Sequence, residues 1–290
     1  MSNMKQYYVS IIIPSFNKGD LILGTIESVY ASDFQGQLEV IIIDDNSTDP
    51  ETIHAYQVIR KKYPMVIIKE NEHKHPHTIG PGSARNLGLK ICHGQYVVFL
   101  DNDDLITPNF LSSALDTIIS KQGISFVYSD IITFGSQTGL RITPEYSLDR
   151  LKKYNYIPVT SLFKKQPLVN VAGFRTNLFS MEDWDLFIRL GLKRCFGQKI
   201  PKEKEAYLLY RITKGQGVNQ SASSPRKRFV VRNQILKANK LYTPVSIFWN
   251  IAAIVYASLS SFSRVSESRA FDLINPASKT RINQLLSKAK

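Results

Sequence analysis

The first half of the chain alternates short apolar runs with stretches of helical periodicity. Residues 8–13 form a β-branched run that stops at Pro14, and residues 39–43 repeat this design. Both runs are too short for ordinary helices, so we expect buried strands. Between them, apolar residues recur at helical spacing over 21–30, and Asp20 is placed to cap that helix. The pattern predicts a strand, a helix and a second strand.

The same alternation continues to about residue 120. The further expected elements are a helix opened by Asp49 and ending before Pro64, a strand at 65–68, a helix at 83–91, a strand at 96–100 and a helix at 107–120. Strands that alternate with helices predict an α/β fold with a mostly parallel sheet and helices on both faces. Beyond it we expect a strand at 124–134, a helix at 182–193 and a strand at 206–212, with nothing assigned over 135–175.

The charge of the chain is concentrated in its C-terminal third. Residues 1–192 carry 18 Lys and Arg against 20 Asp and Glu, whereas residues 193–290 carry 19 against 4. Such an asymmetry indicates an anionic partner for this third, namely a membrane surface, a nucleic acid or a phosphorylated substrate. A solvated basic face is the alternative.

An uncharged, apolar-rich stretch covers residues 241–263 and follows several basic residues. Pro244, Asn250 and several serines dilute its hydrophobicity, so we favour a helix lying on an anionic membrane surface over a membrane span. Arg226, Lys227, Arg228, Arg232, Lys237 and Lys240 would assist its binding. A helix packed on the preceding domain is the other interpretation.

Composition places the protein among globular chains. Of its 290 residues 43% are hydrophobic, which excludes a disordered chain. The only two cysteines, Cys92 and Cys195, form no disulfide framework or cysteine-rich zinc site. The N-terminal residues do not have the pattern of a secretory signal, so we expect a cytoplasmic protein.

Three carboxylates, those of Asp101, Asp103 and Asp104, follow directly after a predicted buried strand. In an open parallel sheet, ligands bind in the crevice at the C-terminal ends of the strands. Closely spaced carboxylates repel one another unless a cation lies among them, and their hard oxygen atoms suit Mg²⁺ or Mn²⁺. A metal-bound diphosphate is therefore the natural hypothesis. The alternative is an acidic turn that caps the next helix, which fits Asp104 best.

A second acidic pair, Asp44 and Asp45, also ends a predicted strand. A carboxylate there can accept the imide N–H of uracil or thymine, while the ring of Phe16, which follows Pro14 and Ser15, could stack on the base. Residues of these types also form turns and helix caps, which is the alternative interpretation of this segment.

Taken together, the motifs resemble those of the family 2 glycosyltransferases, which have the GT-A fold. The resemblance is carried, in order and spacing, by IIPSFN at 12–17, IDDNSTD at 43–49, GSARNLG at 82–88, FLDNDD at 99–104, GF at 173–174 and EDWDLFIRL at 182–190. It covers roughly residues 7–215. It implies an enzyme that moves a sugar from a nucleotide-sugar to a carbohydrate or lipid-linked glycan acceptor during polysaccharide, lipopolysaccharide or glycoconjugate assembly.

The resemblance also assigns roles to single residues on the donor side. Asp45 matches the base-binding aspartate, and Phe16 with Pro14 matches the position beside the base. Asp101 and Asp103 match the DxD pattern around Asn102, with Asp103 the more direct ligand of Mn²⁺ or Mg²⁺ and Asp101 serving the ribose or metal-bound water. Arg85 and Asn86 match a motif near the donor. An ion pair with the acidic crevice is the alternative for Arg85.

Asp183 matches the catalytic base of inverting members, at the start of the helix predicted for 182–193. A carboxylate that takes the proton of the acceptor hydroxyl as the new bond forms is a general base. The helix dipole is expected to favour the ionised form of Asp183 at neutral pH. A purely capping role for Glu182 and Asp183 is the alternative. The Gln-x-x-Arg-Trp motif of processive synthases is missing, so the chain resembles members that add single sugars.

Other interpretations of the sequence are weaker. A sugar-nucleotide pyrophosphorylase would need a Gly-rich triphosphate loop, which residues 14–20 do not supply. A nucleic-acid-binding protein would explain the basic C-terminal third but not the acidic crevice, so no nucleic acid is expected as a partner. His73, His75 and His77 alternate and could share one face around a transition metal, although solvated histidines in a loop are the more ordinary interpretation.

These expectations give a domain plan. Residues 1–225 form the GT-A domain, with a nucleotide-sugar half at about 1–105 and an acceptor half at about 106–225. Residues 226–290 form a basic, amphipathic extension that holds the enzyme at the cytoplasmic face of a membrane.

Overall fold

The structure is a computed structural model that describes residues 6–72, 80–178, 180–213, 225–242 and 276–288. His73, His75 and His77 lie outside the described residues, as does the apolar stretch from residue 243 to 263. The predictions made for them stay predictions.

Within the described ranges the chain forms eleven strands and nine α-helices. The strands are β1 (Tyr8–Ser15), β2 (Gln37–Asp44), β3 (Ile67–Glu70), β4 (Tyr96–Phe99), β5 (Leu105–Ile106), β6 (Ile124–Tyr128), β7 (Asp130–Gly135), β8 (Gly139–Arg141), β9 (Leu162–Lys164), β10 (Phe196–Lys199) and β11 (Tyr207–Ile212). The helices are α1 (Leu21–Tyr30), α2 (Pro50–Lys62), α3 (Gly82–Ile91), α4 (Phe110–Ser120), α5 (Leu148–Leu151), α6 (Lys165–Asn170), α7 (Glu182–Leu192), α8 (Pro225–Ala238) and α9 (Pro276–Lys288).

A seven-stranded sheet in the order β10-β6-β9-β4-β1-β2-β3 forms the centre of the fold. Its strands are parallel except β9, which runs antiparallel to both β4 and β6. The mostly parallel sheet expected from the sequence is thereby confirmed. The register pairs Ser15 with Asp44, so the loops that leave β1 and β2 begin side by side.

Helices cover both faces of this sheet, because the central strands β1, β2 and β4 are buried on both sides. Ile11 and Ile13 of β1 join a buried cluster with apolar residues of α1, α2 and α4. Ile12 points to the opposite face and joins a second cluster with residues of α3, α7 and α8. Continuous burial explains why the strands are continuous β-branched runs and do not alternate with polar residues.

The predicted strand at 124–134 is two strands that belong to different sheets. Here β6 lies in the central sheet, while β7 lies in a four-stranded sheet of order β5-β11-β7-β8. Ser129 is fully buried between them, and its hydroxyl donates to the Asp130 carbonyl and accepts the Leu208 N–H. Because the Ser129 hydroxyl is hydrogen-bonded on both sides, the chain can pass from one sheet to the other without a Gly or a Pro. The sequence therefore indicated one continuous strand.

Several predicted boundaries also move. Asp20 occupies the N-cap position of α1 but makes no capping bond, whereas Asp49 caps α2 by accepting the Thr52 N–H at 2.9 Å. Strand β3 begins at Ile67 instead of residue 65, since Met65 is 82% exposed. Asn109, not Asp104, occupies the N-cap position of α4. The unassigned stretch from 135 to 175 contains β8, β9, α5 and α6, and β10 was also missed.

The two C-terminal helices pack against the rest of the structure. Val231 and Ile235 of α8 are fully buried in the cluster that contains α7, and Ile282 of α9 is buried against Leu105 and Ile132. None of the helices within the described ranges is both long and apolar enough to cross a membrane. The division of the chain at residue 225 stays a prediction.

Candidate active site

The loops that leave β1, β2 and β4 begin at the same edge of the sheet, because these strands are parallel neighbours, and we call the region between these loops the crevice. The loop after β1 carries Phe16 and Lys18, the loop after β2 carries Asp45, and the loop after β4 carries Asp101 and Asp103. The structure thus places four of the side chains predicted for the donor side, those of Phe16, Asp45, Asp101 and Asp103, on neighbouring loops.

Asp45 and Asn71 form a hydrogen-bonded pair at one end of the crevice. Asp45 is half-buried and accepts the Asn71 Nδ2–H at 2.8 Å. Burial raises the pKa of Asp45, although the bond from Asn71 opposes this effect. Asn71 is fully buried, and its Oδ1 has no hydrogen-bond partner among the described residues. The sequence analysis missed Asn71, yet its place directly after β3 matches that of Asp45 after β2 and could have signalled it.

Asn17 holds the loops after β1 and β2 together. Its Oδ1 accepts the backbone N–H groups of Thr48 and Asp49, at 2.8 and 2.9 Å. Asn17 adopts a left-handed backbone with φ 44°, a conformation that asparagine tolerates better than most residues. The neighbouring Phe16 is left 55% exposed, so it offers a flat apolar surface beside the crevice.

Three of the candidate residues turn away from the crevice. Pro14 is buried within β1 opposite Ile43. Asn102 is 5% exposed and donates to the Ser15 hydroxyl at 3.0 Å, which joins the ends of β1 and β4. Asp44 is buried and accepts the Tyr56 hydroxyl at 2.8 Å. Of the second acidic pair, Asp45 is thus the member that lies at the crevice.

The three clustered aspartates divide into two groups. The carboxylates of Asp101 and Asp103 are 34% and 19% exposed, and Lys18 Nζ lies 2.8 Å from Asp103 Oδ2. Asp104 is buried and accepts the backbone N–H of Arg211 at 2.8 Å, which ties this loop to β11. Burial, together with the charges of Asp103 and Asp101, raises the pKa of Asp104 well above its usual range. The capping role proposed for Asp104 is therefore wrong, because its side chain bonds the second sheet.

Arg85 of α3 lies at the centre of the site and links its two sides. Its Nη2 is 2.6 Å from Asp101 Oδ1, and its Nη1 is 2.7 Å from Glu182 Oε1. The side chain is only 3% exposed, and its guanidinium lies 5.3 Å from the centre of the Phe174 ring. Burial alone would lower the pKa of Arg85, but the two carboxylates outweigh burial and raise it. Arg85 thus forms the ion pair with the acidic crevice that was the alternative interpretation of this residue.

Asn86 supports the site from behind. Its Nδ2 donates to the Phe174 carbonyl and its Oδ1 accepts the Phe174 N–H, both at 2.8 Å. The preceding Gly173 has φ +61°, and a Cβ there would lie 2.3 Å from Asn86 Oδ1. The paired Asn86 and Gly173 therefore fix the strand-like segment on which Phe174 meets Arg85.

Asp183 lies in the first turn of α7 with both carboxylate oxygens hydrogen-bonded. Oδ1 accepts the Trp184 N–H and Oδ2 accepts the Asn155 Nδ2–H, both at 2.8 Å. Burial and the charge of Glu182 raise the pKa of Asp183 to about 7, although Arg85 opposes them. Burial and the like charge of Glu182 thus oppose the helix dipole, which is expected to favour the ionised form. Met181 occupies the N-cap position, so neither acidic residue is the N-cap.

Helix α7 is fixed from behind by buried polar contacts that the sequence did not reveal. Asp185 is fully buried and accepts from Arg189 Nε at 2.7 Å, from Asn239 Nδ2 at 2.8 Å and from Arg175. The guanidinium of Arg232 lies 4.6 Å from the centre of the Trp184 ring. Burial lowers the pKa of Arg232 to about 10. Arg232 is 6% exposed, so it does not belong to the membrane-facing basic set in which the sequence analysis placed it.

The described residues hold no group of three or more His, Cys, Asp or Glu side chains that is arranged to bind a metal. Asp101 and Asp103, whose carboxylates are balanced by Arg85 and Lys18, form a pair. A divalent cation at such a pair would need oxygen ligands from the substrate. Mg²⁺ commonly binds in this way, through one or two carboxylates and substrate phosphates.

The mostly parallel sheet with acidic side chains at its strand ends agrees with the GT-A fold of the solved structures that this chain resembles. The chain belongs to glycosyl transferase family 2, whose model matches residues 10–178. The predicted resemblance, fold and enzyme class are confirmed.

Individual relatives agree with this assignment. The UDP-Glc:α-D-GlcNAc-diphosphoundecaprenol β-1,3-glucosyltransferase WfaP of Escherichia coli is 35% identical over 71% of this chain and 71% of its own. The Staphylococcus aureus TarS 1–349 complex with UDP-GlcNAc matches with a TM-score of 0.66 at 20% identity, over 98% of this chain and 80% of that one. The Pyrobaculum calidifontis mannosyltransferase PcManGT, in complex with GDP-Man and Mn²⁺, matches with a TM-score of 0.62 at 16% identity, over 97% of this chain and 80% of that one.

Some relatives are much longer proteins. The chain spans 24% of an uncharacterized protein of Sinorhizobium fredii and 26% of the chondroitin synthase of Escherichia coli.

Proposed function

We propose that the protein transfers a single sugar from a UDP-sugar to a hydroxyl of a lipid-linked glycan, with inversion at the anomeric carbon. The observation that carries this proposal is the position of Arg85, whose two terminal nitrogens bind Asp101 on the donor side and Glu182 beside Asp183. One guanidinium therefore spans the distance between the donor carboxylates and the head of α7. A nucleotide-sugar bound at Asp101 and Asp103 would have its anomeric carbon near Asp183 at the start of α7.

The choice of a uridine carrier rests on the pair of Asp45 and Asn71. The Oδ2 atom of Asp45 can accept the imide N–H of uracil, and the exposed ring of Phe16 can stack on the base. Relatives named for UDP-Glc and UDP-GlcNAc support the same carrier.

Asp101 and Asp103 would hold a divalent cation, Mn²⁺ or Mg²⁺. Their hard, partly exposed oxygens fit such an ion, and a neighbour of the same fold contains Mn²⁺. When bound, the cation would neutralise charge on the departing diphosphate. Lys18, in the loop after β1, pairs with Asp103. Its positive charge would also help to neutralise the departing diphosphate.

Asp183 acts as the general base. It takes the proton of the acceptor hydroxyl while that oxygen bonds to the anomeric carbon and the bond from this carbon to the diphosphate oxygen breaks. Attack on the face opposite the leaving group inverts the configuration. A carboxylate with a pKa of about 7 is a stronger base than an ordinary aspartate and is still about half ionised at neutral pH.

Attachment to a membrane surface would bring the enzyme to its lipid-linked acceptor. Exposed residues at helical spacing give α8 an outward stripe of Lys227, Val230, Gln234 and Lys237, and Lys240 and Tyr242 follow it. Basic and apolar groups side by side suit an anionic surface. The name of the glucosyltransferase relative includes a lipid diphosphate acceptor, which supports this location at the cytoplasmic face.

The first prediction is that donor binding depends on the metal. UDP should raise the Tm of the wild type more with Mn²⁺ than with a chelator, because the cation joins Asp103 to the diphosphate. Asp103→Asn should lose this difference, and Asp116→Asn, at an exposed aspartate paired with Lys204, serves as the matched control. Equal stabilisation with and without the metal would rule out the metal assignment.

The second prediction concerns Asp183. With UDP-glucose and a synthetic lipid-diphosphate-linked N-acetylglucosamine, Asp183→Asn should cut kcat by about 10² to 10⁴, with little change in UDP affinity. The wild-type kcat/KM should rise with pH through about 7 and then level off, because only the ionised carboxylate accepts a proton. Asp149→Asn, at an exposed residue, is the control.

Near-normal turnover of Asp183→Asn would move the base role to Glu182. Absence of transfer from UDP-glucose and from other UDP-sugars to such an acceptor would contradict the proposed substrates. Retention of the donor's anomeric configuration in the product would contradict inversion.

The third prediction is that α8 contributes to binding of anionic vesicles. Replacing Lys227, Lys237 and Lys240 by Gln should weaken binding to phosphatidylglycerol vesicles about 100-fold, since each lysine near such a surface contributes about 1 kcal/mol. The control replaces three exposed lysines elsewhere, Lys61, Lys90 and Lys121. Equal flotation of both triple variants would contradict a specific role of α8.

A further inference from the structure

We infer that Asn155 is a positioning residue that fixes the carboxylate of Asp183 for proton transfer. This inference rests on the proposed role of Asp183 as the base. Asn155 lies in the segment between α5 and β9, for which no element was predicted, and its Nδ2 lies 2.8 Å from Asp183 Oδ2.

The amide of Asn155 can be oriented in one way only. Its Oδ1 accepts the Ile157 N–H at 3.3 Å, so its NH₂ group faces the carboxylate. This orientation agrees with the contact to Asp183, because a carboxylate oxygen accepts hydrogen bonds and needs a donor opposite it.

Two donors from different parts of the chain hold the plane of the Asp183 carboxylate. The Trp184 N–H binds Oδ1 from within α7, and Asn155 binds Oδ2 from the facing loop. A carboxylate has about four lone-pair positions, so two bonds leave room for an acceptor hydroxyl. Asn155 is itself half-buried and neutral, so it orients the base without competing for the proton.

The loop that carries Asn155 is itself anchored to α7 and α8. The Trp184 Nε1–H donates to the Leu151 carbonyl at 2.6 Å, and Arg232 of α8 donates to the Lys153 carbonyl. These bonds fix the chain two and four residues before Asn155. A side chain delivered by so constrained a backbone returns to the same place in each molecule, as positioning of a reacting group requires.

Charged groups also face Asp183 from the elements packed around it. Glu182 lies on the same helix, Arg85 on α3 and Asp101 on the loop after β4. Asn155 differs from them because it is uncharged and directly hydrogen-bonded. Its removal should therefore change the direction of the carboxylate more than the charge around it.

Two substitutions separate a positioning role from a structural one. Asn155→Ala removes the donor and should lower kcat about 10- to 100-fold, with UDP affinity unchanged. Asn155→Asp keeps the size and the acceptor for the Ile157 N–H but places a second carboxylate against Asp183, and it should be slower still. A merely structural role predicts a lower Tm for both variants, with the kcat of the folded enzyme close to that of the wild type.

A double mutant tests whether Asn155 acts through Asp183. With UDP-glucose and the lipid-diphosphate acceptor as probes, adding Asn155→Ala to Asp183→Asn should cause no further loss of kcat. Multiplicative losses would overturn the inference. Normal kcat for both Asn155 variants, alongside an inactive Asp183→Asn, would overturn it and leave the base assignment intact. Near-normal activity of Asp183→Asn would instead contradict the proposed function and this inference with it.

A crystal structure of Asn155→Ala provides a readout that needs no substrate. The inference expects the Asp183 carboxylate to rotate or to occupy more than one orientation while α7 stays in place. An unchanged, single orientation of the carboxylate would contradict it.

Discussion

The buried ion-pair network of Arg85 is the interaction on which the arrangement of the site depends. Its guanidinium is nearly inaccessible and binds two carboxylates that are far apart in sequence, Asp101 and Glu182. Removing a charged group from water is costly unless partners and hydrogen bonds compensate it, so the three groups require one another. Because Asp101 follows β4 and Glu182 begins α7, the network also fixes the position of α7 relative to the central sheet.

The rest of the structure supports this network from both sides. On the sheet side, Asn102 and Ser15 join the ends of β1 and β4, so the loop that carries Asp101 has a fixed start. On the helix side, Asp185 anchors α7 through Arg175 and through Asn239, just beyond the end of α8. Part of the basic C-terminal third thus packs against the helix that carries Asp183.

The sequence predicted the central elements well because their signals are local. β-Branched runs such as the one in β1 and the Asp49 cap of α2 depend on neighbouring residues only. The carboxylates at strand ends were found for the same reason, because a parallel sheet places consecutive strand ends at one edge. The contacts that were missed join distant segments. Asn155 bonds Asp183 28 residues away, and Asp185 bonds Asn239 54 residues away, and no local pattern marks these two contacts.

The central claim is that Arg85 joins the two sides of the site by a buried charge network, and unfolding in urea tests it directly. Arg85→Met should lower the free energy of unfolding by about 3–5 kcal/mol, because it leaves the carboxylates of Asp101 and Glu182 without their partner. Adding Asp101→Asn and Glu182→Gln to Arg85→Met should recover most of that loss, since no uncompensated charge then remains. A loss below about 1 kcal/mol for Arg85→Met, or no recovery in the triple variant, would contradict the account.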